Sequence, residues 1–291
     1  MVGGCGWRVS VGCRGCRCAF TVRSWRHISS PCRRDSSAAS WGRMNMRALG
    51  IDLGGSGFRL GVFDTVTGSL VGDFIEQEHE DVSDPAMVQA SMAKALQALE
   101  WRGPIGIGFP GVVVNDVVET APNLGDAWVG TDFSSLRPFH EGQVSILNDA
   151  DAVALGELYF GVGHQGHDKV LTLTIGTGLG TTVHENGTLV PNLEYGRLPH
   201  PTRGGLLEEH LSGRARREAN LSLEQWAGRF QEGLDALERL VEPGLIVLYG
   251  GIMEHWSTIK PLLSTRAMLL PARLNRTAGP LGAAWYATHR D

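Results

Sequence analysis

Gly50-Ile51-Asp52-Leu53-Gly54-Gly55-Ser56-Gly57 continues an apolar run that starts at Ala48, and Phe58 to Phe63 resumes that run on the far side. A strand ending in an acid, a glycine turn and a second strand predict a hairpin with a glycine tip, since glycine takes the angles of a tight reversal without a Cβ penalty. The arrangement returns in the second half of the chain. Val170 to Ile175 leads into Gly176-Thr177-Gly178-Leu179-Gly180 and then Thr181 to His184. One glycine hairpin in each half predicts a duplicated fold. Neither turn has the G-x-x-x-x-G-K-[ST] spacing of a P-loop, and neither is followed by the helix that a dinucleotide site requires.

Working outward, Asp84-Pro85 caps a helix with Met87 or Val88, Met92, Leu96 and Leu99 at helical spacing. Ile105 to Phe109 and Val144 to Leu147 read as buried strands, and Asn148-Asp149 as the start of a helix over Ala150 to Phe160. Ser222 with Gln225 makes a capping box for a helix that places Trp226, Phe230, Leu234, Leu237 and Val241 on one face, a core face rather than a ligand box. Leu245 to Tyr249 is a short strand ending in Gly250-Gly251, and Leu281 to His289 a terminal helix. Strands alternating with helices give an α/β class.

A chain of 291 residues buries a core without disulfide or metal staples. Its 39 glycines follow no collagen period and form no low-complexity tract, so many must hold backbone-specific loops. No apolar run reaches the ~18 to 20 residues of a membrane helix. Residues 1–46 hold eight Arg, no Lys and one Asp, whereas residues 47–291 hold 18 basic and 30 acidic residues. An acidic body disfavours a nucleic-acid or membrane-surface partner. All five cysteines (Cys5, Cys13, Cys16, Cys18 and Cys32) lie in the basic leader, which leaves the body no thiol for a disulfide or a zinc site and fits a reducing cytoplasm. The leader reads as a presequence, as a small metal site on Cys13, Cys16 and Cys18, or as sequence upstream of a true start at Met44 or Met46. It is expected to be disordered or absent.

The chemistry gathers at strand ends. Backbone N–H groups of Gly54, Gly55 and Gly57, and of Gly176, Gly178 and Gly180, can close around phosphate oxygens, with the Ser56 and Thr177 hydroxyls as added donors. A glycine turn by itself is more often only a tight turn. Two of them on paired hairpins, the first strand ending in Asp52, make a phosphate site specific enough to expect.

From Arg47 onward the chain resembles the ROK group of sugar kinases within the actin-like ATPase superfamily, and in that group its polyphosphate-glucokinase branch. The carriers are the two glycine segments with Phe109-Pro110-Gly111-Val112, Ala121-Pro122-Asn123-Leu124, Leu147-Asn148-Asp149-Ala150-Asp151 and Leu189-Val190-Pro191-Asn192-Leu193-Glu194. Trp128-Val129-Gly130-Thr131-Asp132 and Leu221-Ser222-Leu223-Glu224-Gln225-Trp226-Ala227 point to the polyphosphate branch. The resemblance implies two domains flanking a catalytic cleft, a small one over 47–148 joined by the terminal helix 278–291 and a large one over 149–277. It implies transfer of the terminal phosphoryl of polyphosphate, with ATP as an alternative donor, to the 6-hydroxyl of glucose, with Mg²⁺ required. Asp149 matches the general base, Asp52 a Mg²⁺-organising carboxylate acting through water, and Asn123, Asn148 and Glu194 sugar binders. Asn148-Asp149 also reads as a helix N-cap, and Asp151 and Glu157 as cap or helix-surface residues. No structural zinc and a homodimer are expected.

Two departures from the family pattern stand out. Arg59 occupies a usual Lys position in the first phosphate loop, keeping a cation with different donor geometry. Arg197 occupies a usual His position, three residues after Glu194, where a longer, permanently charged group could crowd the pocket, salt-bridge Glu194 or select a different sugar. Arg214, Arg216 and Arg217 are candidates for a polyphosphate track or a solvated helix face. The rivals are an ATP-only hexose kinase, needing an adenine pocket near Gly250-Gly251 and Ala278 to Leu281, and a non-catalytic sugar-binding ROK regulator.

Overall fold

The computed structural model describes residues 46–79, 81–133, 136, 143–163 and 166–289, so the expectations for the leader, Met46 apart, lie outside the described residues. In the first hairpin, β1 (Arg47–Gly54) pairs antiparallel with β2 (Gly57–Asp64); Gly54 faces Gly57, and only Gly55 and Ser56 span the turn. β3 (Leu70–Glu78) extends this hairpin on the β2 side. The Asp84 carboxylate accepts from the Ala86 and Met87 amides and starts α1 (Pro85–Ala98), which buries Val88, Met92 and Leu96. β4 (Ile105–Phe109) returns parallel to β1, β5 (Val113–Val114) and β6 (Val117–Val118) form a small ribbon, and β7 (Val144–Asn148) lies parallel to β4. The first sheet therefore runs β3-β2-β1-β4-β7.

α2 (Asp149–Phe160) leads into the second half, where β8 (Lys169–Ile175) and β9 (Leu179–Glu185) form the second hairpin. Ile175 faces Leu179 there, so Gly176, Thr177 and Gly178 make the turn. After β10 (Thr188–Val190) come α3 (Glu208–Leu211), α4 (Gly213–Glu218) and α5 (Leu223–Val241), then β11 (Leu245–Tyr249), α6 (Trp256–Ile259), β12 (Met268–Pro271) and α7 (Ala278–Thr288). The second sheet runs β10-β9-β8-β11-β12. It repeats the first in order and polarity: a three-stranded antiparallel meander, with two further strands parallel to its innermost member. This is the duplicated α/β fold expected of actin-like ATPases.

Each sheet covers its own core. Leu49, Ile51 and Leu60 pack with Val88, Met92 and Leu96 of α1 in the first, while Leu171, Leu173 and Ile246 pack with Trp226, Phe230 and Leu234 of α5 in the second. The Ser222–Gln225 capping box forms in full, and the Trp226 and Phe230 rings stack at 4.7 Å, which places these aromatics in the core. Trp128 is also core: its indole donates to the Val82 carbonyl at 2.8 Å, and its ring meets Phe109 and Phe133. Between the sheets α2 packs on α7, and α7 on β1 and β4. The described residues from Met46 onward belong to a single compact unit, and among them no helix is long and apolar enough to cross a membrane.

Candidate active site

Parallel α/β sheets present ligand sites at the carboxyl ends of their strands. β1 carries Asp52 near its end and runs on to Gly54, β7 ends on Asn148, β8 runs into the Gly176 turn and β11 ends on Tyr249, and all of these line one cleft of ≈ 1270 Å³. Of the residues singled out from sequence, Asp52, Gly54, Gly55, Ser56, Arg59, Asn123, Asn148, Asp149, Gly176, Thr177, Gly178, Gly180 and Glu194 lie on its walls. Gly57 does not. At φ +145° a Cβ there would stand 2.0 Å from the Gln77 carbonyl oxygen, so this glycine serves the packing of β2 against β3.

Asn148 caps α2 by accepting from the Asp151 amide at 3.1 Å, and its amide nitrogen donates to the Gly111 carbonyl at 3.0 Å, tying the helix start to the loop that leads to Asn123. Asp149 is the first helical residue, with its Oδ1 accepting from the Ala150 amide at 2.8 Å. Its carboxyl is deep in the cleft and surrounded by protein, with one side open to the cleft space. Thr181 supports Glu194 from both sides: its hydroxyl donates to the Leu193 carbonyl and accepts from the Tyr195 amide.

Asp151 and Glu157 correct the sequence reading. Neither is a helix-surface residue: they are 2% and 0% exposed. Asp151 accepts from the Thr182 hydroxyl at 3.0 Å and the Asn192 amide at 2.9 Å, while the Asn192 side chain bonds both backbone groups of Val113, joining the two halves beside the cleft. Glu157 accepts from the amides of Val162, Arg273 and Leu274, and so fixes the segment that carries Asn275 and Arg276 into the cleft. Both face inward because α2 is the buried middle layer, a position its own sequence does not reveal.

The arginine cluster is also divided by the fold. Arg214 lines the cleft, its amide donating to the Gly176 carbonyl at 3.2 Å, whereas Arg216 and Arg217 are absent from the lining. The Arg216 Nε is buried with no hydrogen-bond partner. Arg197 does reach the wall, with Glu208 nearby. Sequence reasoning missed Glu208, Tyr249 and Arg276 as cleft residues; the position of Tyr249 at a strand end before two glycines was the available signal.

The sequence profile of the ROK family matches residues 48–193. A polyphosphate glucokinase of Mycobacterium tuberculosis is 39% identical over 238 residues, which cover 81% of this chain and 89% of that protein. This chain belongs to the ROK family. Among solved structures, an inorganic polyphosphate/ATP-glucomannokinase from Arthrobacter sp. strain KM superposes with a TM-score of 0.78 at 32% identity, covering 84% of this chain and 99% of that one. A ROK glucokinase from Streptomyces griseus, solved with glucose and AMPPNP, shares the fold with a TM-score of 0.68 at 23% identity, covering 83% and 99% of the two chains.

In this ROK cleft the acids are strongly perturbed. Burial, and after it the Asp52 carboxylate, push Asp149 up to about 8. Burial pushes Asp52 up to about 6, against the pull of Arg59. Asp151 rises to about 6 by burial, against its two hydrogen bonds, and Glu194 also rises by burial, with Arg197 opposing and Glu208 reinforcing. Perturbed acids converging in a cleft are a mark of a catalytic site.

A raised acid favours the fold while protonated, so its contribution is lost as pH rises through its folded value. His184 has the opposite sign: burial lowers it to about 4, and its influence ends near its ordinary value of 6.5. Above pH 6.5 Asp149 therefore dominates this set, and the ligand-free protein is expected to melt at progressively lower temperature from pH 6.5 to 8.5. Differential scanning calorimetry across that window checks the sign; a flat or rising profile contradicts the burial of Asp149.

Proposed function

We propose that the protein is a phosphotransferase that moves the terminal phosphoryl of inorganic polyphosphate, and of ATP, to the 6-hydroxyl of glucose. The observation that carries this reading is the placement of Asp149 on the floor of a cleft between two glycine hairpins, in a chain whose relatives include a polyphosphate glucokinase and a polyphosphate/ATP-glucomannokinase.

Asp149 takes the proton of the sugar hydroxyl as that oxygen attacks the phosphoryl group, acting by position and late proton acceptance. Asn123, Asn148 and Glu194 hold sugar hydroxyls, and the amides of the Gly54–Gly55 and Gly176–Gly178 turns receive donor phosphates, with Ser56 and Thr177 as added donors. The Asp52 carboxylate raises the cost of ionising Asp149, and the two groups offer oxygen donors only, a set that fits a hard divalent cation. Asp52 would hold Mg²⁺ through water, and the ion's charge would screen the donor phosphates and leave both carboxyls ionised.

The test is an assay of the purified protein with glucose and Mg²⁺, supplied in parallel with polyphosphate or ATP, and with mannose as a second acceptor. Turnover with polyphosphate supports the proposal. Turnover with ATP alone would move the chain to an ATP-dependent hexose kinase, and binding of sugar with no turnover from either donor would favour a non-catalytic regulator.

Arg214 gives the donor site a separate check. Arg214→Ala is expected to raise the polyphosphate KM by about 3- to 10-fold and to weaken its salt dependence, with ATP affected less, because a long anion draws on charges beyond the glycine turns. The double variant Arg216→Ala, Arg217→Ala leaves the cleft lining intact and should change that KM by less than about 2-fold. Steady-state kinetics at two ionic strengths decide this, and equal effects of both variants would remove Arg214 from the donor path.

A further inference from the structure

The chain between Arg197 and Glu208 leaves the cleft and returns to it. Both end residues line the cleft, and a Cβ on Gly178 would stand 3.0 Å from the Glu208 Oε2, so that carboxylate reaches the second glycine turn. Residues 198–207 close into a hairpin in between. The Leu207 amide donates to the Leu198 carbonyl at 2.9 Å, the His200 amide donates to the Gly205 carbonyl at 2.8 Å, and Pro199 pairs with Leu206. Leu207 anchors the returning arm in the second core.

A histidine shapes the tip. His200 is 5% exposed, and its Nδ1 accepts from the Thr202 and Arg203 amides at 3.3 and 3.2 Å. An imidazole nitrogen that accepts carries no proton, so the ring is neutral with its hydrogen on Nε2. That Nε2 is buried without a hydrogen-bond partner, which leaves Nδ1 as the polar contact through which the ring acts. His210 of α3 meets the ring edge-on at 4.6 Å, with its own Nε2 2.8 Å from the Gly204 carbonyl oxygen. Glu209 of α3 accepts from the Leu206 amide, and Glu232 of α5 holds the Thr202 hydroxyl and the Arg203 guanidinium.

We propose that His200 is an acceptor-side positioning residue, whose ring templates the 198–207 hairpin and thereby holds Arg197 and Glu208 in place on the cleft wall that carries Glu194. The inference rests on the phosphotransferase reading above. Its physical reason lies in the tip. Gly204 and Gly205, each at φ +69°, give that segment little shape of its own. The His200 Nδ1 fixes the first half of the reversal, as an Asx side chain does when it accepts from the amide two residues on. Since Arg197 precedes one arm and Glu208 follows the other, the hairpin base sets the spacing of these two charges. Both act on Glu194, which burial raises, with Arg197 easing its ionisation and Glu208 opposing it.

Two amide side chains separate this role from bulk. His200→Asn puts its oxygen where Nδ1 stands, and His200→Gln carries it one bond further, to the level of Nε2. The Asn variant should keep the glucose KM within about 2-fold of the parent. The Gln variant should raise it about 5-fold, with the donor KM within about 2-fold and kcat at saturating glucose changed much less. Glucose binding to the ligand-free protein, followed by calorimetry, should weaken in the same order. Hydrogen exchange at the Thr202 and Arg203 amides reads the contact without any ligand, and should quicken in the Gln variant but not in the Asn variant. Melting temperatures within about 2 °C of the parent exclude unfolding as the cause. A parent-like glucose KM in the Gln variant, equal losses in both variants, or a matching rise in the donor KM would each overturn the role of His200. If the Gln variant does not fold, the Asn variant decides, since a raised glucose KM there overturns the role and a parent-like one supports it. Absence of turnover in the parent protein would instead sink the phosphotransferase reading, and glucose binding with amide exchange would then decide the role of His200 by themselves.

Discussion

Asp149→Asn should lower kcat by at least ~100-fold, the low end for loss of a general base, with little change in the sugar KM. The amide is nearly isosteric and still accepts from the Ala150 N–H, so the first turn of α2 stays formed. It cannot take a proton from the attacking hydroxyl. The same substitution removes a buried charge that carries a cost above neutral pH, because Asp149 is raised to about 8 by burial and by Asp52. The variant should therefore melt higher than the parent at pH 8.5, and its melting temperature should vary less between pH 6.5 and 8.5. An inactive, more stable variant is the signature of a group placed for chemistry at the expense of stability. Near-normal turnover would reduce Asp149 to a helix-start residue.

Gly50→Ala should cost at least ~3 kcal/mol of folding stability, at or above the usual range for overpacking a core. A Cβ at residue 50 would stand 1.7 Å from the Pro280 carbonyl oxygen, and one at Gly106 on the neighbouring strand 1.8 Å from that of Ala283. The obstacle is the α7 backbone, which has no rotamer with which to yield. Lifting α7 would also disturb the floor of the site, since Gly279 at its start lies against Asp52: a Cβ there would be 2.8 Å from the Asp52 Cγ. Turnover should fall with stability. Gly55→Ala is the control, because a Cβ there meets nothing within 4 Å. It should leave stability within ~0.5 kcal/mol and raise the donor KM if the turn receives phosphate. Urea denaturation of the two variants separates the cases, and equal midpoints would contradict the packing of α7 on β1.

The contrast between Gly50 and Gly55 shows where reading the chain stops. In sequence both are members of one glycine segment, but one makes room for a helix more than two hundred residues away and the other opens a turn to solvent. Gly57 belongs to the first kind, with the β3 backbone in place of a helix.

Local pattern was sufficient for what local forces decide. The period of apolar residues, the Asp84 and Ser222 caps and the glycine turns placed the two hairpins, the α1 and α5 helices and the strands ending at Phe109 and Tyr249. Because the second hairpin repeats the first, the duplication was legible as well. Since such folds present strand ends to a common crevice, the glycine turns and Asp52 could be named from those ends, whereas Asn123, Asp149 and Glu194 were named through the family resemblance. Three matters were decided by long-range packing. Asp151 and Glu157 became buried anchors because α2 is buried all round from Ala150 to Leu158, and an acid in a helix carries no local mark of that environment. Arg214 was separated from Arg216 and Arg217 because a single turn of helix sends neighbours in different directions, and only the body beneath α4 determines which of them meets the cleft. Tyr249 joined Arg59 on the wall of one cleft because two sheets far apart in sequence converge there, and the company a side chain keeps across a cleft is chosen by the convergence of the sheets, which neither strand encodes.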